Sequence, residues 1–446
     1  MNTASDSAME DGNIFRKIAF RLLPLLFVCY IIAYIDRINV GFAKLHLREA
    51  LGVDENIFNS VYGFGAGLFF IGYFIFEVPS NLILQRVGAR IWIARIMVVW
   101  GLVSMSFMFL KSATMFYVLR FLLGAAEAGF FPGVILYLTY WFPARERART
   151  IAWFAVGGVA AGVIGSPISG LLLGLDGFLG YHGWQWLFFL EALPAIVLGL
   201  VVLFVLPNGP KEVNWLSDSE KSYIHSRLAE ESLANAPAHH TSWTSIFHTP
   251  VIWLFCLLYF LMNVGSYGYE MWLPTIVKGL SGQGDAKVGL INAIPYFAAG
   301  FAMIFVARAS DRTGERRKYI ALSATTSAIG FVLAATLKNP FLAMAALTLA
   351  FMGTKSTIAP FWAWTTSVLS GTAAAGGIAL INSVGNLGGF FGPYFVGKIK
   401  DATQSDFAAL LLLGGSLLGM AFFSFFIPRP QQKPQTVVPP EPAVKA

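Results

Sequence analysis

Apolar runs of about twenty residues recur along the whole chain, and each is long enough to cross a bilayer as a helix. Composition agrees: 56% of residues are hydrophobic and only 12% charged, against roughly 25% charged in a soluble domain. A length of 446 residues would suit two or three soluble domains, but the recurring runs exclude that class. The chain reads as a polytopic, all-α membrane protein. A net charge of +7 could point a soluble protein toward nucleic acid. Here the basic residues cluster in short loops, the positive-inside signature, and no nucleic-acid partner is expected. Cys29 and Cys256 both lie within apolar segments, so neither suggests a disulfide framework or a metal site. The start, MNTASDSAMEDG, is polar and acidic and runs straight into a full-length span, so no cleavable signal peptide is expected.

About twelve helices are expected. The first six cover residues 18–42, 59–83, 91–110, 114–140, 150–175 and 184–206. The second six cover 250–277, 287–309, 318–337, 341–366, 374–399 and 405–427. This divides the chain into an N-terminal tail (1–17), a six-helix bundle (18–206), a polar central loop (207–248), a second bundle (249–427) and a tail (428–446). In the central loop, Ser217 and Glu220 are spaced as a capping box. Tyr223, Ile224 and Leu228 would form the apolar face of the short surface helix that follows. The Pro- and Gln-rich final tail reads as disordered.

Six helices plus six suggest an internal repeat, and two motifs support one. Gln85-Arg86-Val-Gly88-Ala-Arg90 follows the second helix, and Asp311-Arg312-Thr-Gly314-Glu-Arg316 follows the eighth, 226 residues later. Glu127 lies five residues before Pro132 on the fourth helix, and Lys355 lies five before Pro360 on the tenth, an offset of 228. Two such halves match the parallel repeat of the major facilitator architecture. Arg86, Arg90, Arg145, Arg147, Arg149, Arg312, Arg316, Arg317 and Lys318 all follow even-numbered helices. Those exits are therefore read as cytoplasmic, with both termini inside the cell. Lys398 and Lys400, after the eleventh helix, run against this pattern.

The first helix carries an adjacent acid and base, Asp36-Arg37, in the stretch FVCYIIAYIDRINVGFA. Each ion costs about 2.5–3.5 kcal/mol in hydrocarbon on insertion scales, which points to an aqueous cavity and to transport. Three stretches carry a wider likeness: Tyr34-Ile-Asp36-Arg37-Ile-Asn39-Val-Gly41, Leu119-Arg120-Phe-Leu-Leu-Gly124-Ala-Ala-Glu127-Ala-Gly-Phe-Phe-Pro132-Gly133, and Gly183-Trp-Gln-Trp186-Leu-Phe-Phe-Leu-Glu191-Ala-Leu-Pro194. Together they resemble the anion:cation symporter family of the major facilitator superfamily. The likeness covers nearly the whole chain outside the tails and much of the central loop. It is strongest to bacterial carriers of tartrate, phthalate and 4-hydroxyphenylacetate, and more distant to sugar-acid carriers, sialin and vesicular glutamate transporters.

That resemblance implies proton-coupled uptake of an organic anion. By it, Asp36 and Glu127 are the proton-sensitive carboxylates and Arg37 binds the substrate carboxylate. Arg120 organises the charges of the fourth helix, and Tyr73 and Asn382 line the substrate site. Gln85 stands where the superfamily usually has Asp, which weakens an inter-helix charge contact expected of the switch loops. Lys355 belongs to no carried-over pattern.

In that fold the first, fourth, seventh and tenth helices line the central cavity. Arg120 and Glu127 lie seven residues apart and share a helix face, so Asp36, Arg37, Arg120 and Glu127 are expected to converge. Arginine suits a carboxylate substrate because its planar fork donates two parallel hydrogen bonds. Protonation would free an arginine from its acid, the anion would take the arginine, and the neutralised cavity could close. The plain alternative is a static charge network. By the proline register, Lys355 is the counterpart of Glu127 across the cavity, where it could attract the anion or pair with an acid; otherwise it snorkels. Glu77 reads as a partner for loop arginines and Glu191 as structural. Glu270 could line the cavity, but the outer rim is the preferred place for it. Tyr73 and Trp362 could stack on a ring-bearing substrate. The glycines of the fifth helix (Gly157, Gly158, Gly162, Gly165) and eleventh helix (Gly385, Gly388, Gly389, Gly392) read as close-packing positions.

The expected function is import of a small mono- or dicarboxylate by proton symport. Its partners are the anion, the bilayer and the co-transported proton, with no cofactor and a monomeric state. No nucleophile–base pair, metal cluster or phosphate loop appears within the spans, so no catalytic or metal role is assigned. A sodium-coupled or facilitated carrier, an exporter, or a sensor on a carrier scaffold are the alternatives.

Overall fold

The structure, a computed structural model, describes residues 3–234, 248–369 and 372–427. Among them there are helices and no strands. Eleven helices are long and apolar enough to cross a membrane: Asn13–His46, Glu55–Val87, Ala89–Phe109, Ala113–Thr139, Val156–Leu173, Gly183–Val205, Pro250–Glu270, Asp285–Thr313, Arg316–Thr336, Pro340–Val368 and Asp406–Phe426. The remaining expected crossing, eleventh in order, is made in two pieces, Thr372–Asn386 and Gly388–Thr403, divided at Leu387. The final tail and residues 235–247 of the central loop lie outside the described residues.

Several helices outrun their apolar stretches. The first begins at Thr3 rather than 18, and the fifth at Ala144 rather than 150. Hydropathy marks where lipid contact ends; the backbone hydrogen-bond ladder continues past it into polar sequence. Starts are fixed by caps. Ser112 accepts from the Met115 N–H at the fourth helix. Asn339 accepts from the N–H groups of Phe341 and Leu342 at the tenth. These two caps are 227 residues apart, in step with the sequence repeat.

Within the first half, the first span packs on the fifth, the second on the fourth and the third on the sixth. Within the second half, the seventh packs on the eleventh, the eighth on the tenth and the ninth on the twelfth. The halves meet where the second span lies along the eleventh and the fifth along the eighth, two contacts that a six-helix repeat interchanges. Both are close. A Cβ on Gly162 would fall 2.0 Å from the Tyr296 ring, and one on Gly389 would fall 2.5 Å from the Phe70 ring. Small residues are what let helix backbones approach this way in lipid.

The four spans nearest the centre share one irregularity. Helical bonding is interrupted at Asn39 in the first, at Ala128-Gly129 in the fourth, after Glu270 at Met271-Trp272 in the seventh, and at Thr357 in the tenth. The interruption is sharp only in the fourth, where Ala128 is extended (ψ 130°) and Gly129 is left-handed (φ 86°). Interrupted backbone at membrane depth survives only where protein or an aqueous cavity covers it.

Candidate functional site

Each interruption follows one or two residues after a charged side chain: Arg37, Glu127, Glu270 and Lys355. A helix C-terminus carries partial negative charge, so it favours the two cations and disfavours the two acids. The acids are held by pairing. Arg37 and Glu127 form an ion pair between the first and fourth spans. Lys355 Nζ lies 2.9 Å from Glu270 Oε1, between the tenth and seventh. The two pairs occupy corresponding places in the two halves, with the signs exchanged.

Their surroundings differ. Arg37 Nη1 donates to the Tyr267 hydroxyl at 3.1 Å, and the guanidinium sits among the rings of Phe69, Tyr73 and Tyr34 at 5.2, 5.6 and 5.9 Å. Arg37 Nε and Glu127 Oε2 are buried and have no hydrogen-bond partner among the described residues. In the other pair, Lys355 Nζ also donates to Tyr34 Oη and Ser266 Oγ, both at 3.0 Å. Tyr34 donates to the Glu270 carboxylate at 2.9 Å, and Ser266 donates to it at 3.3 Å. The lysine therefore has three acceptors for its three protons. The Arg37 side chain is 14% exposed, whereas Glu127, Lys355 and Glu270 are 6% or less.

Of the four residues expected to converge, Arg37, Glu127 and Arg120 lie within electrostatic reach of one another, whereas Asp36 takes its hydrogen bonds elsewhere. Asp36 turns away from Arg37, because successive helical residues point about 100° apart. It accepts from Trp100 Nε1 at 2.9 Å and Ser104 Oγ at 3.0 Å, both on the third span. Arg120, 1% exposed, donates to the Ala66 carbonyl at 2.9 Å and lies over the Phe69 ring, tying the fourth span to the second. Tyr73 is buried beside Arg37. Asn382 donates to Glu77 Oε1 at 2.6 Å and Ser383 to Oε2 at 3.1 Å. Glu77 thus bridges the second and eleventh spans instead of serving loop arginines. Glu191 accepts from Ser169 at 2.6 Å inside the first half. Trp362 packs edge-on to Tyr259.

The loop motifs are asymmetric. Gln85 and Arg86 are exposed; Gly88 is left-handed (φ 95°) and faces Asn208, which also accepts from the Arg90 N–H. In the second half, Gly314 caps its helix at φ 71°, Arg312 is exposed, and Asp311 pairs with Arg316. Lys400, one of the two misplaced bases, is paired with Asp406, and Lys398 lies over the Tyr394 ring.

Sequence reasoning preferred the outer rim for Glu270 and missed Tyr34, Ser266 and Tyr267 as members of the centre. A usable signal was present. Pro132, Pro274 and Pro360 each follow a charged residue by four or five positions, on three of the four central spans.

The described hydrogen bonds and ion pairs joining the halves run from the level of Glu77 to the face opposite the termini. There, His46 meets Asp285 at 2.7 Å, and Asp401 accepts from the Ser60 N–H at 2.6 Å. These contacts tie the two halves together at that face.

Residues 26–393 and 282–445 match the Major Facilitator Superfamily. The chain belongs to that superfamily. This facilitator is 45% identical over 423 residues to a protein of Agrobacterium vitis named "Putative tartrate transporter", covering 95% of this chain and 93% of the relative. It is 39% identical to a protein named "Quinolone resistance transporter" from Acinetobacter baumannii, over 96% and 98% of the two chains. Its fold matches the partially occluded, inward open xylose transporter XylE from E. coli with a TM-score of 0.76, at 14% identity and over 93% and 99% of the chains. This facilitator is a secondary transporter by family, and the paired charges at its helix interruptions are its candidate substrate centre.

Proposed function

We propose that this facilitator imports a small organic anion together with protons, across a bacterial inner membrane with both termini in the cytoplasm. The observation that carries the reading is the unsaturated Arg37–Glu127 pair at the meeting of the two halves. The Arg37 side chain is 14% exposed, so a carboxylate can approach its guanidinium. A carboxylate cannot take the guanidinium while ionised Glu127 holds it. Protonation of Glu127 breaks that ion pair and leaves a cation for the substrate. Return of the proton on the other side restores the pair and expels the anion. The high identity to the tartrate-named relative supports a carboxylate. Tyr73 walls the site beside Arg37. Asp36 serves as the second proton-sensitive acid, acting on the first span through Trp100 and Ser104 rather than on the anion. Arg120 positions the fourth span, and Asn382 acts through its bond to Glu77.

A second reading, extrusion of a larger aromatic anion, is favoured by the aromatic collar of Phe69, Tyr73, Tyr34 and Tyr267 and by the quinolone-named relative. Reconstitution separates the two. Proteoliposomes acidified outside should accumulate labelled L-tartrate or L-threonate above equilibrium, and collapsing the gradient should abolish the accumulation. Accumulation that survives the collapse rejects proton symport. Glu127→Gln should keep exchange of labelled for unlabelled threonate but lose its gradient-driven accumulation.

A further inference from the structure

We propose that the Glu270–Lys355 pair is a second carboxylate subsite, so that the substrate is a short dicarboxylate held between Arg37 and Lys355. Glu270 occupies the lysine until the second carboxylate arrives. This rests on the reading of Arg37 as the anion's first contact and extends it across to the other half.

Tyr34 carries the geometry. Its ring centroid lies 5.9 Å from Arg37 Cζ and 5.5 Å from Lys355 Nζ, so the two cations are at most about 11 Å apart. A charge-assisted hydrogen bond of about 2.8 Å at each end leaves no more than about 6 Å between the two carboxylate groups. That suits a four-carbon diacid and excludes long-chain ones. The Tyr34 hydroxyl already donates to one carboxylate, Glu270, and accepts from Lys355. A substrate carboxylate arriving there would meet the same donors: Lys355 Nζ, Tyr34 Oη and Ser266 Oγ. Both cations end interrupted helices in opposite halves, so a molecule bridging them reports its own presence to both halves at once.

Charge balance sets the rest. The empty centre holds two neutral pairs. A dianion that takes both cations displaces both acids, and two displaced carboxylates beside a dianion would leave the centre strongly negative in a poorly hydrated site. Each displaced acid therefore takes a proton, one for each carboxylate carried. The groups facing Glu270 are Tyr34 from the first span, Tyr296 from the eighth, Lys355 from the tenth, and Ser266, Tyr267 and Tyr269 on its own helix. Lys355 is the only fixed cation among these.

L-Tartrate and L-threonate test the proposal, since threonate has a hydroxymethyl group in place of the second carboxylate. In proteoliposomes, the double substitution Lys355→Met with Glu270→Gln removes both charges and leaves neither buried ion unpaired. It should lower the tartrate-to-threonate ratio of kcat/KM by about tenfold to a hundredfold, the worth of a charge-assisted contact. Lys355→Arg with Glu270 intact should restore most of the ratio. A trapped pH dye in the native carrier should report one more proton per tartrate than per threonate. A ratio unmoved by the double substitution, with both substrates slowed equally, assigns the pair a structural role and overturns the proposal. So does a native carrier that takes threonate and not tartrate, which leaves the Arg37 reading standing. Uptake of neither anion rejects the Arg37 reading and this subsite with it.

Discussion

The two halves place one ion pair each at matching interruptions, yet only the second half completes its pair. Glu270 and Lys355 are enclosed by Tyr34 and Ser266 and use every lysine proton. Arg37 and Glu127 keep an unused donor, an unused acceptor and an open edge. A buried pair whose remaining valences are filled is expensive to open; one with spare valences can exchange a partner at lower cost. The repeat supplied both halves with the same scaffold, and side-chain saturation is what distinguishes the two pairs.

The comparison breaks first at Arg37. Arg37→Ala should reduce initial uptake of every carboxylate by at least about a hundredfold, since a lost charge-assisted contact alone is worth about 1.5–3 kcal/mol and the acid is left buried without a cation. Arg37→Lys should recover little, because the planar fork is lost. Labelled uptake at equal protein content measures both. If Arg37→Ala costs no more than the Lys355 substitutions, the two pairs are equivalent and the ordering fails.

Exchanging charges within a pair sharpens the contrast. Glu270→Lys with Lys355→Glu keeps a hydrogen-bonded pair beside Tyr34 and should retain threonate uptake to within about tenfold, the effect of roughly one lost hydrogen bond. Arg37→Glu with Glu127→Arg moves the guanidinium off its aromatic collar and should lose uptake. Equal behaviour of the two inversions would show that position matters less than net charge.

Backbone gives a third contrast. Gly129 is left-handed, and a Cβ there would lie 2.3 Å from Ser80 Oγ. Thr357, at the matching interruption, is right-handed (φ −74°). Gly129→Ala should cost at least about 1–2 kcal/mol for the left-handed backbone alone. Thr357→Gly should cost about 0.5–1 kcal/mol. Thermal unfolding in detergent reads both, and a reversed order would mean the fourth-span interruption is not fixed by glycine.

The smallest effect concerns the central helix, Asp218–Ala234, which is tied to the first half. Lys17 meets Glu220 at 2.9 Å, Trp215 stacks on Trp141, and Arg147 pairs with Glu231 at 3.4 Å. The Lys17 ammonium and the Ser217 N–H hold the Glu220 carboxyl below its ordinary range. A lowered acid stabilises above its free value of about 4.3 and loses that contribution as pH falls through the lowered one. Protection of this helix from hydrogen exchange should therefore weaken below that range and not near neutrality. Glu220→Gln should remove the pH dependence.

The spans and the repeat were legible because hydropathy and short motifs record them directly. Arg37 and Glu127 were legible as members of one charged cluster, because a lone charge in lipid needs a counter-charge, but not as each other's partner. Asp36 was misplaced because adjacency in sequence was read as adjacency in space, when neighbouring helical residues diverge by about 100°. Glu270 was misplaced because Glu270 and Arg37 lie 233 residues apart, not 226 or 228, so the repeat register does not align them. The Glu77 contact with Asn382 joins spans with no shared register, and only tertiary packing creates it.

The exchanged signs of the two pairs also bear on membrane voltage. Moving one elementary charge through 100 mV changes the energy by about 2.3 kcal/mol. Arg37 cancels Glu127 within one half and Lys355 cancels Glu270 within the other, so these four residues carry no net charge through the field when the empty carrier swings back. Any voltage dependence of that return step then rests on the other buried ionisable groups of the spans, among them Asp36, Arg120 and Glu77.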